Sequence, residues 1–381
     1  MIHARWVRRS LSVIVALLLA ACSGIPKIPA KGMFHGEAID TTVDAEVARY
    51  YLESHIAGRR TDPELNRKIE EITRQYANSL PSRDELAALS KTYSVDFAAL
   101  FFADRLLAHK CNRALNQRFN DYVANPHKRA ANTAQYVVLF VPGWDYVANG
   151  HLTGANFAEP RRLATAFGLE NELVPISPTG SVEENARIVA RTVNERVASG
   201  KKILIAGASS AGPAIHLALG DVLSKRDLQA VKAWINLGGI LQGTPLIDYA
   251  QHWPQIWLFD LVSWWREWNR DAVMSMGTGP SQKRFTRLRI DADVLIINYV
   301  GIPLSGQLSK FARDKYPLLR DAGPNDGLTL LTDAIAPKSH TVVAVGRDHF
   351  FAADPKINAK TLALMALVID ALDEQPLPRC E

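Results

Sequence analysis

The stretch that decides the fold is residues 202–212, Lys-Ile-Leu-Ile-Ala-Gly-Ala-Ser-Ser-Ala-Gly. A continuous apolar run passes directly into small residues, and a helical pattern follows. So tight a turn strains its central residue, and the residues two positions before and after it must be small. Ser209 and Ser210 both meet this requirement, but the length of the predicted strand, 203–206, favours Ser209. The stretch therefore predicts a strand, a sharp turn that presents Ser209, and a helix.

The same alternation continues on both sides of this turn. Six apolar runs predict strands at 136–141, 173–176, 203–206, 233–237, 294–300 and 341–345. Helical patterns lie between them, near 158–167, 183–198, 211–224 and 357–372. Apolar strands that alternate with amphipathic helices are typical of a mostly parallel sheet covered on both faces. The predicted fold class is therefore α/β.

A serine hydroxyl becomes a nucleophile only when a base removes its proton, and His349 is the best-placed candidate. Reactive groups collect at the carboxyl ends of parallel strands, and His349 follows the last predicted strand. The alternative is a surface-loop histidine. Asp326 is the predicted orienting acid because it lies between Ser209 and His349 in chain order. Its Pro-Asn-Asp-Gly turn also suits a structural Asp, and Asp348 is the second candidate.

Four segments resemble the α/β-hydrolase superfamily, and within it bacterial lipases and esterases. They are Val-Pro-Gly-Trp at 141–144, the turn at 202–212, Gly-Ile-Leu-Gln-Gly-Thr-Pro-Leu at 239–246 and Pro-Asn-Asp-Gly-Leu at 324–328. The resemblance covers about residues 135–372. Two positions depart from the family pattern: residue 211 is Ala instead of Gly, and Pro-Gly at 142–143 stands where His-Gly is usual.

This resemblance implies an α/β-hydrolase fold and assigns roles to particular residues. The implied catalytic triad is Ser209, Asp326 and His349. The implied oxyanion hole consists of the backbone N–H groups of Trp144 and Ser210. No metal or organic cofactor is expected, since the sequence contains no HExxH, no Cys/His ligand spacing, no GxGxxG and no Gly-Lys-Ser/Thr. A phosphate-holding turn is the alternative for 202–212.

The first 21 residues predict an export signal. Three Arg and no acid precede an 11-residue apolar run at 11–21, shorter than the about 20 residues that span a bilayer. The run ends in Leu-Ala-Ala before Cys22, which resembles the bacterial lipoprotein signal. The resemblance implies cleavage before Cys22, lipidation of this residue, and a place in the cell envelope, at the outer membrane. An ordinary signal peptide is the alternative.

The composition excludes several classes of function. The whole chain has 44 basic and 39 acidic side chains, and three of the basic ones lie in the signal. The mature chain would be nearly neutral and has no basic run interleaved with aromatics, so no nucleic-acid partner is expected. Two cysteines, Cys111 and Cys380, would remain besides Cys22. In an oxidising compartment they form either one disulfide or two unpaired thiols, and the sequence leaves this open.

Four parts of the chain follow from these patterns. Residues 1–21 are the signal, 22–42 a flexible tether rich in Gly and Pro, 43–130 a region of about four helices, and 131–381 the hydrolase domain. A cap insertion at about 247–288 holds five of the eight Trp, all within 253–268. These Trp would form a lid, an acyl-binding wall or a membrane contact, or would simply pack on the sheet or on the N-terminal helices.

The resulting hypothesis is a lipid-anchored serine hydrolase that cleaves carboxylic esters with an apolar acyl group. Its partners would be a small-molecule or lipid ester and a membrane. Two alternatives stay open: an acyltransferase or amidase with the same triad, or a non-catalytic envelope scaffold that acts through binding.

Overall fold

The computed structural model describes residues 24–125, 133–290, 293–378 and 380. The predicted signal peptide and Cys22 lie outside these residues. Within the described residues, no helix combines the length and hydropathy needed to cross a membrane.

A six-stranded parallel sheet forms the centre of the molecule, in the spatial order β4-β3-β5-β6-β7-β8. The strands are β3 (Tyr136–Val141), β4 (Glu170–Leu173), β5 (Lys202–Ala208), β6 (Val231–Leu237), β7 (Leu295–Ile302) and β8 (His340–Val345). Every residue of β3 is buried, as expected for a parallel strand covered on both faces. The predicted parallel sheet is confirmed. The prediction of a strand at 173–176 is wrong in position, because β4 lies earlier in the chain and ends at Leu173. Val174 and Ile176 follow the strand and are buried.

Helices cover both faces of this sheet. One face packs on α5 (Lys110–Ala124), α7 (Ala158–Phe167) and α16 (Ile357–Asp373). The other packs on α8 (Val182–Val197) and α9 (Ala211–Leu217), the latter extended by a π-turn at Ala218–Val222. Shorter helices are α6 (Tyr146–Thr153), α10 (Lys225–Leu228) and α15 (Tyr316–Leu319). Isolated 3-10 turns lie at Thr133–Gln135, Arg320–Ala322, Leu331–Ala334 and Phe351–Ala353.

The insertion between β6 and β7 is helical. It contains α11 (Pro245–Ala250), α12 (Gln255–Trp265), α13 (Arg270–Met274) and α14 (Thr278–Arg287). The buried side of this cap joins the core cluster of α8 and α9 through Ile247, Val273 and Met276. The cap therefore lies over one face of the sheet, at the end where the strands finish.

The prediction of a flexible tether at 22–42 is wrong for residues 28–42. Two antiparallel strands, β1 (Ile28–Phe34) and β2 (Glu37–Val43), form a hairpin there. Four residues of the hairpin are buried, two on each strand and four positions apart: Ala30, Phe34, Ile39 and Val43. Residues an even number of positions apart lie on the same face of a strand, so each strand of the hairpin has one covered face. The burial of this face stabilises the hairpin despite its Gly and Pro residues. His35 and Gly36, both with positive φ, make the two-residue turn.

The N-terminal helices pack on the edge of the sheet and share a core with it. They are α1 (Glu46–Tyr50, continued by a π-turn at Tyr51–His55), α2 (Pro63–Gln75), α3 (Arg83–Thr92), α4 (Val95–Ala108) and α5, five where about four were predicted. Their core cluster includes Val300, Ile302 and Val345 of β7 and β8. β8 is an edge strand, and its outer backbone groups bond to side chains of α5. Asn112 and Asn116 make hydrogen bonds of 2.8–3.0 Å to backbone atoms of Thr341 and Val343.

Candidate active site

The turn after β5 holds Ser209 in the conformation that the sequence predicted for one of the two serines. Ser209 has a φ of +56°, in the left-handed region, whereas Ser210 has a φ of −60° and is the N-cap residue of α9. A Cβ at Gly207 would lie 2.1 Å from Cδ1 of Ile215 and 3.3 Å from Cβ of Ala211, so a larger residue would displace side chains of α9. The N–H of Ser209 donates to the carbonyl of Leu237, 3.0 Å away, which fixes the turn to β6.

His349 and Asp326 are in direct contact. Nδ1 of His349 lies 2.8 Å from Oδ2 of Asp326, and both side chains are buried. The other carboxylate oxygen accepts the backbone N–H groups of Leu328 and Thr329, at 2.9 and 2.8 Å. The N–H of His349 also donates to the carbonyl of Asp326, at 2.9 Å. One carboxylate oxygen is thus held by the backbone while the other orients the imidazole.

The turn that presents Asp326 is itself braced by the Gly-Thr-Pro segment at 243–245. The Thr329 hydroxyl donates to the carbonyl of Gly243, 2.8 Å away, and the Thr244 hydroxyl donates to the carbonyl of Leu328. Gly327 has a φ of +93°, and a Cβ at this position would lie 2.6 Å from the Cβ of Ala312. A larger residue would therefore be strained and would clash with Ala312. Two of the four segments in the family resemblance therefore meet at this acid.

Asp348, the second candidate for the acid, is occupied elsewhere. Its Oδ2 accepts the N–H of Ser309 at 2.6 Å, and its Oδ1 accepts that of Phe350 at 2.9 Å. The first bond connects the loop after β7 to the loop after β8, and the second lies within the loop after β8. Asp348 braces the histidine loop, whereas Asp326 contacts the imidazole.

The loop after β3 brings the backbone of Trp144 beside the serine. A Cβ at Gly143 would lie 3.6 Å from that of Ser209, and the N–H groups of Gly143 and Asp145 are already bonded, to the carbonyls of Ala155 and Pro178. Within the described part of the chain, the N–H groups of Trp144 and Ser210 donate to no protein acceptor. Free N–H groups on both sides of a serine can stabilise an oxyanion.

A cavity of about 1040 Å³ brings these groups together. Trp144, Ser209, Ser210 and His349 all line it, and its walls are mainly apolar. Sequence reasoning did not predict the contribution of α16, whose first turns supply Ile357, Thr361, Leu364 and Met365. The periodicity of α16 predicted a helix with a covered face, but nothing in it marks which turn faces a cavity.

The Trp-rich part of the cap is exposed. Trp253, Trp257, Trp264 and Trp265 are each 70–79% exposed, and Leu258 and Leu261 are 64% and 58% exposed. Trp268 alone of the five is half-buried, 5.8 Å from the ring of Trp144 and against the cavity. The alternative that these Trp pack on the sheet or on the N-terminal helices is therefore wrong for the four exposed ones.

Cys111 and Cys380 are joined in a disulfide, with their Cα atoms 5.7 Å apart. Nδ1 of His340 lies 3.3 Å from Sγ of Cys380. Among the described residues, the side chains of these three lie close together, but the disulfide leaves neither sulfur as a thiolate that could bind a metal ion. They lie at the start of β8, where the chain enters the sheet, and belong to no wall of the active-site cavity.

We expect Gly327→Ala to lower the free energy of unfolding more than Gly200→Ala does. Both positions have positive φ, so both substitutions carry a backbone strain of about 1–2 kcal/mol. Only at Gly327 would the new methyl collide with a neighbour, which adds about 1–3 kcal/mol. Equilibrium urea unfolding measures the difference. Equal losses for the two variants would show that the turn at Asp326 adapts to a side chain.

Comparison with known proteins supports the fold. No protein-family profile matches the sequence, and neither does any curated protein. Among solved structures, a metagenomic carboxyl esterase is similar over 64% of this chain and 77% of its own, with a TM-score of 0.52 and 18% identity. The propeptide form of the Bacillus licheniformis lipase BlEst2 is similar over 62% of this chain and 52% of its own, with a TM-score of 0.51 and 18% identity. At such identities the likeness shows the fold alone: the chain has an α/β-hydrolase fold.

Proposed function

We propose that this protein is a serine hydrolase that cleaves carboxylic esters with an apolar acyl group. One observation carries the proposal. A strained serine, a histidine bonded to a buried carboxylate, and two residues whose backbone N–H groups have no protein acceptor line the same cavity. These are the parts that acyl transfer through a covalent intermediate requires.

In this proposal each group has one role, which the geometry supports. Asp326 accepts a hydrogen bond from the N–H at Nδ1 of His349, which keeps the proton on that nitrogen and leaves Nε2 as the basic nitrogen. Nε2 takes the hydroxyl proton of Ser209 as its oxygen attacks the ester carbonyl, and the N–H groups of Trp144 and Ser210 stabilise the oxyanion. The alcohol leaves with the proton from His349. Water, activated by the same imidazole, then releases the acid from Ser209.

The test is an activity panel on the purified full chain in detergent. We expect p-nitrophenyl butyrate and octanoate to be hydrolysed and the matching p-nitroanilides to react far more slowly. Faster release from the anilides would favour an amidase. Transfer to an added alcohol in preference to water, seen as a new ester by mass spectrometry, would favour an acyltransferase. A folded protein that acts on none of these esters, anilides or alcohols would favour the alternative of a non-catalytic binding scaffold.

We also propose that the protein acts at a membrane, held by a lipid on Cys22 and by the exposed cap surface. The cap surface comprises Trp253, Trp257, Leu258, Leu261, Trp264 and Trp265. Its contact with lipid is supported by the preference of Trp for membrane interfaces and by the exposure of these large apolar side chains within one short segment. The envelope location rests on the sequence of residues 1–22 alone. Mass spectrometry of the exported protein tests the anchor: an unmodified Cys22 would refute it.

Substitution of Trp257 and Trp264 by Ser should reduce vesicle binding about tenfold or more, because each exposed indole removes apolar area from water on insertion. Co-sedimentation with phosphatidylcholine vesicles measures the effect, in a Cys22→Ser background that removes the lipid. Met33→Ser combined with Leu318→Ser is the control, since both residues are exposed and apolar but lie elsewhere. Equal loss in both double variants would refute a specific role of the cap surface.

A further inference from the structure

The active-site cavity extends to both faces of the sheet. Its cap lobe lies beneath the insertion and is lined by Leu246, Ile247, Phe259, Trp268, Val273 and Met276. Its sheet lobe lies between the opposite face and α16, and is lined by Phe140, Ala206, Ile235, Tyr299, Leu364 and Met365. Apart from Leu246, the two sets belong to separate core clusters, on either side of the sheet. Ser209 ends β5 at the junction of the lobes.

Small side chains on β5 make room for the sheet lobe. Leu204, Ala206 and Ala208 share the face toward α16, because side chains alternate along a strand. Ala206 and Ala208 line the cavity, whereas Leu204 does not. Ala206 is in register with Phe140 and Ile235, whose larger side chains form the walls. The lobe thus descends three residues below Ser209, about 10 Å, and ends at Leu204.

The lobes differ in access to solvent. The six named residues of the sheet lobe are all at most 7% exposed, and nearer the start of α16 the cavity wall adds the half-buried Ile357 and Thr361 and the exposed Asn358. The cap lobe is bounded by the half-buried Phe259 and Trp268 and by the exposed Arg266. The deep end of the sheet lobe is therefore closed. The cap lobe has a partly exposed boundary, although its Ile247, Val273 and Met276 are buried, and the two lobes meet at the nucleophile.

We infer that the sheet lobe binds the acyl chain, that the cap lobe binds the alcohol, and that Ala206 sets the acyl length. The inference rests on the proposed function. In that reaction the alcohol departs first and water must enter, while the acyl group stays bonded to Ser209. The group that stays fits the lobe with the closed end, and the group that leaves fits the lobe with the partly exposed boundary. A substrate with apolar chains on both sides of the ester, as in a lipid ester, would fill both lobes.

The test compares Ala206→Leu with Ala250→Leu, the same substitution in the wall of each lobe. Rates are measured on p-nitrophenyl acetate and octanoate, and on ethyl and decyl acetate. Ala206→Leu should lower the octanoate-to-acetate ratio of kcat/KM at least about tenfold, because lost methylene contacts in an apolar pocket cost that much. It should leave the decyl-to-ethyl ratio unchanged. Ala250→Leu should do the reverse.

A thermal melt checks the folding of each variant. If Ala206→Leu does not fold, Met365→Phe fills the same lobe from α16 and should lower the same ratio. An unchanged octanoate-to-acetate ratio in a variant that still cleaves acetate would overturn the lobe assignment alone. A shift in the decyl-to-ethyl ratio instead would reverse the two lobes. If the wild type cleaves no ester, the proposed function fails, and the assignment with it.

Discussion

Ser209→Ala is expected to lower kcat/KM for ester hydrolysis by about 10⁴–10⁶, the range found when the nucleophile of a serine triad is removed. The loss is large because no other group can form the acyl intermediate. The methyl group of alanine fits where the serine methylene was, so the fold should persist. Steady-state hydrolysis of p-nitrophenyl butyrate, with a thermal melt for folding, makes the measurement.

Ser210→Ala is the matched control. Ser210 contributes its backbone N–H, which alanine retains, and its side chain lies outside the strained position. We therefore expect this variant to keep most of the activity. If Ser210→Ala were the inactive variant and Ser209→Ala the active one, Ser209 would be the wrong nucleophile, although the fold would stand.

Asp326→Asn should lower kcat by about 10⁴, because an amide in this place favours the wrong tautomer of the histidine. The substitution keeps the size of the side chain, and the amide oxygen can still accept the N–H groups of Leu328 and Thr329. The amide nitrogen of the new Asn then faces Nδ1 of His349. Because the amide nitrogen is a donor, Nδ1 must accept a hydrogen bond instead of donating one. Nε2 would carry the proton and could no longer act as the base. Single-turnover kinetics with p-nitrophenyl butyrate separate this loss from weaker binding.

Asp348→Asn is the comparison for the acid. This carboxylate braces the loop through the N–H groups of Ser309 and Phe350 and does not touch the imidazole. We expect a loss of stability but a kcat far closer to the wild type than that of Asp326→Asn. The opposite ranking would make Asp348 the acid and contradict the triad.

Local patterns predicted the sheet and the turn after β5. Five of the six strands were predicted within one or two residues, because each is a continuous apolar run that ends at polar or small residues. Strand length selected Ser209 over Ser210, and the backbone has its positive φ at Ser209. The strand near 173 was displaced because Val174 and Ile176 are buried without pairing, so burial alone did not identify the hydrogen-bonded residues.

The hairpin at 28–43 and the cavity could not be predicted in the same way. Gly and Pro in the hairpin suggested a tether, although its buried positions follow the period of a strand. The cavity depends on contacts between β5, α16 and the cap, which lie far apart in sequence. Only Ala206 and Ala208 carried a local signal, since small residues are unusual in a central strand that packs on both faces.

The most direct test of the triad is labelling of the folded full chain with a fluorophosphonate, followed by mass spectrometry of its peptides. The probe bonds to a serine oxygen with loss of fluoride only when a base activates that serine. We predict one adduct, on Ser209, and its loss in Ser209→Ala and His349→Ala. A folded protein without any adduct, or one with its adduct on Ser210, would contradict the assignment of Ser209, His349 and Asp326 as the catalytic groups.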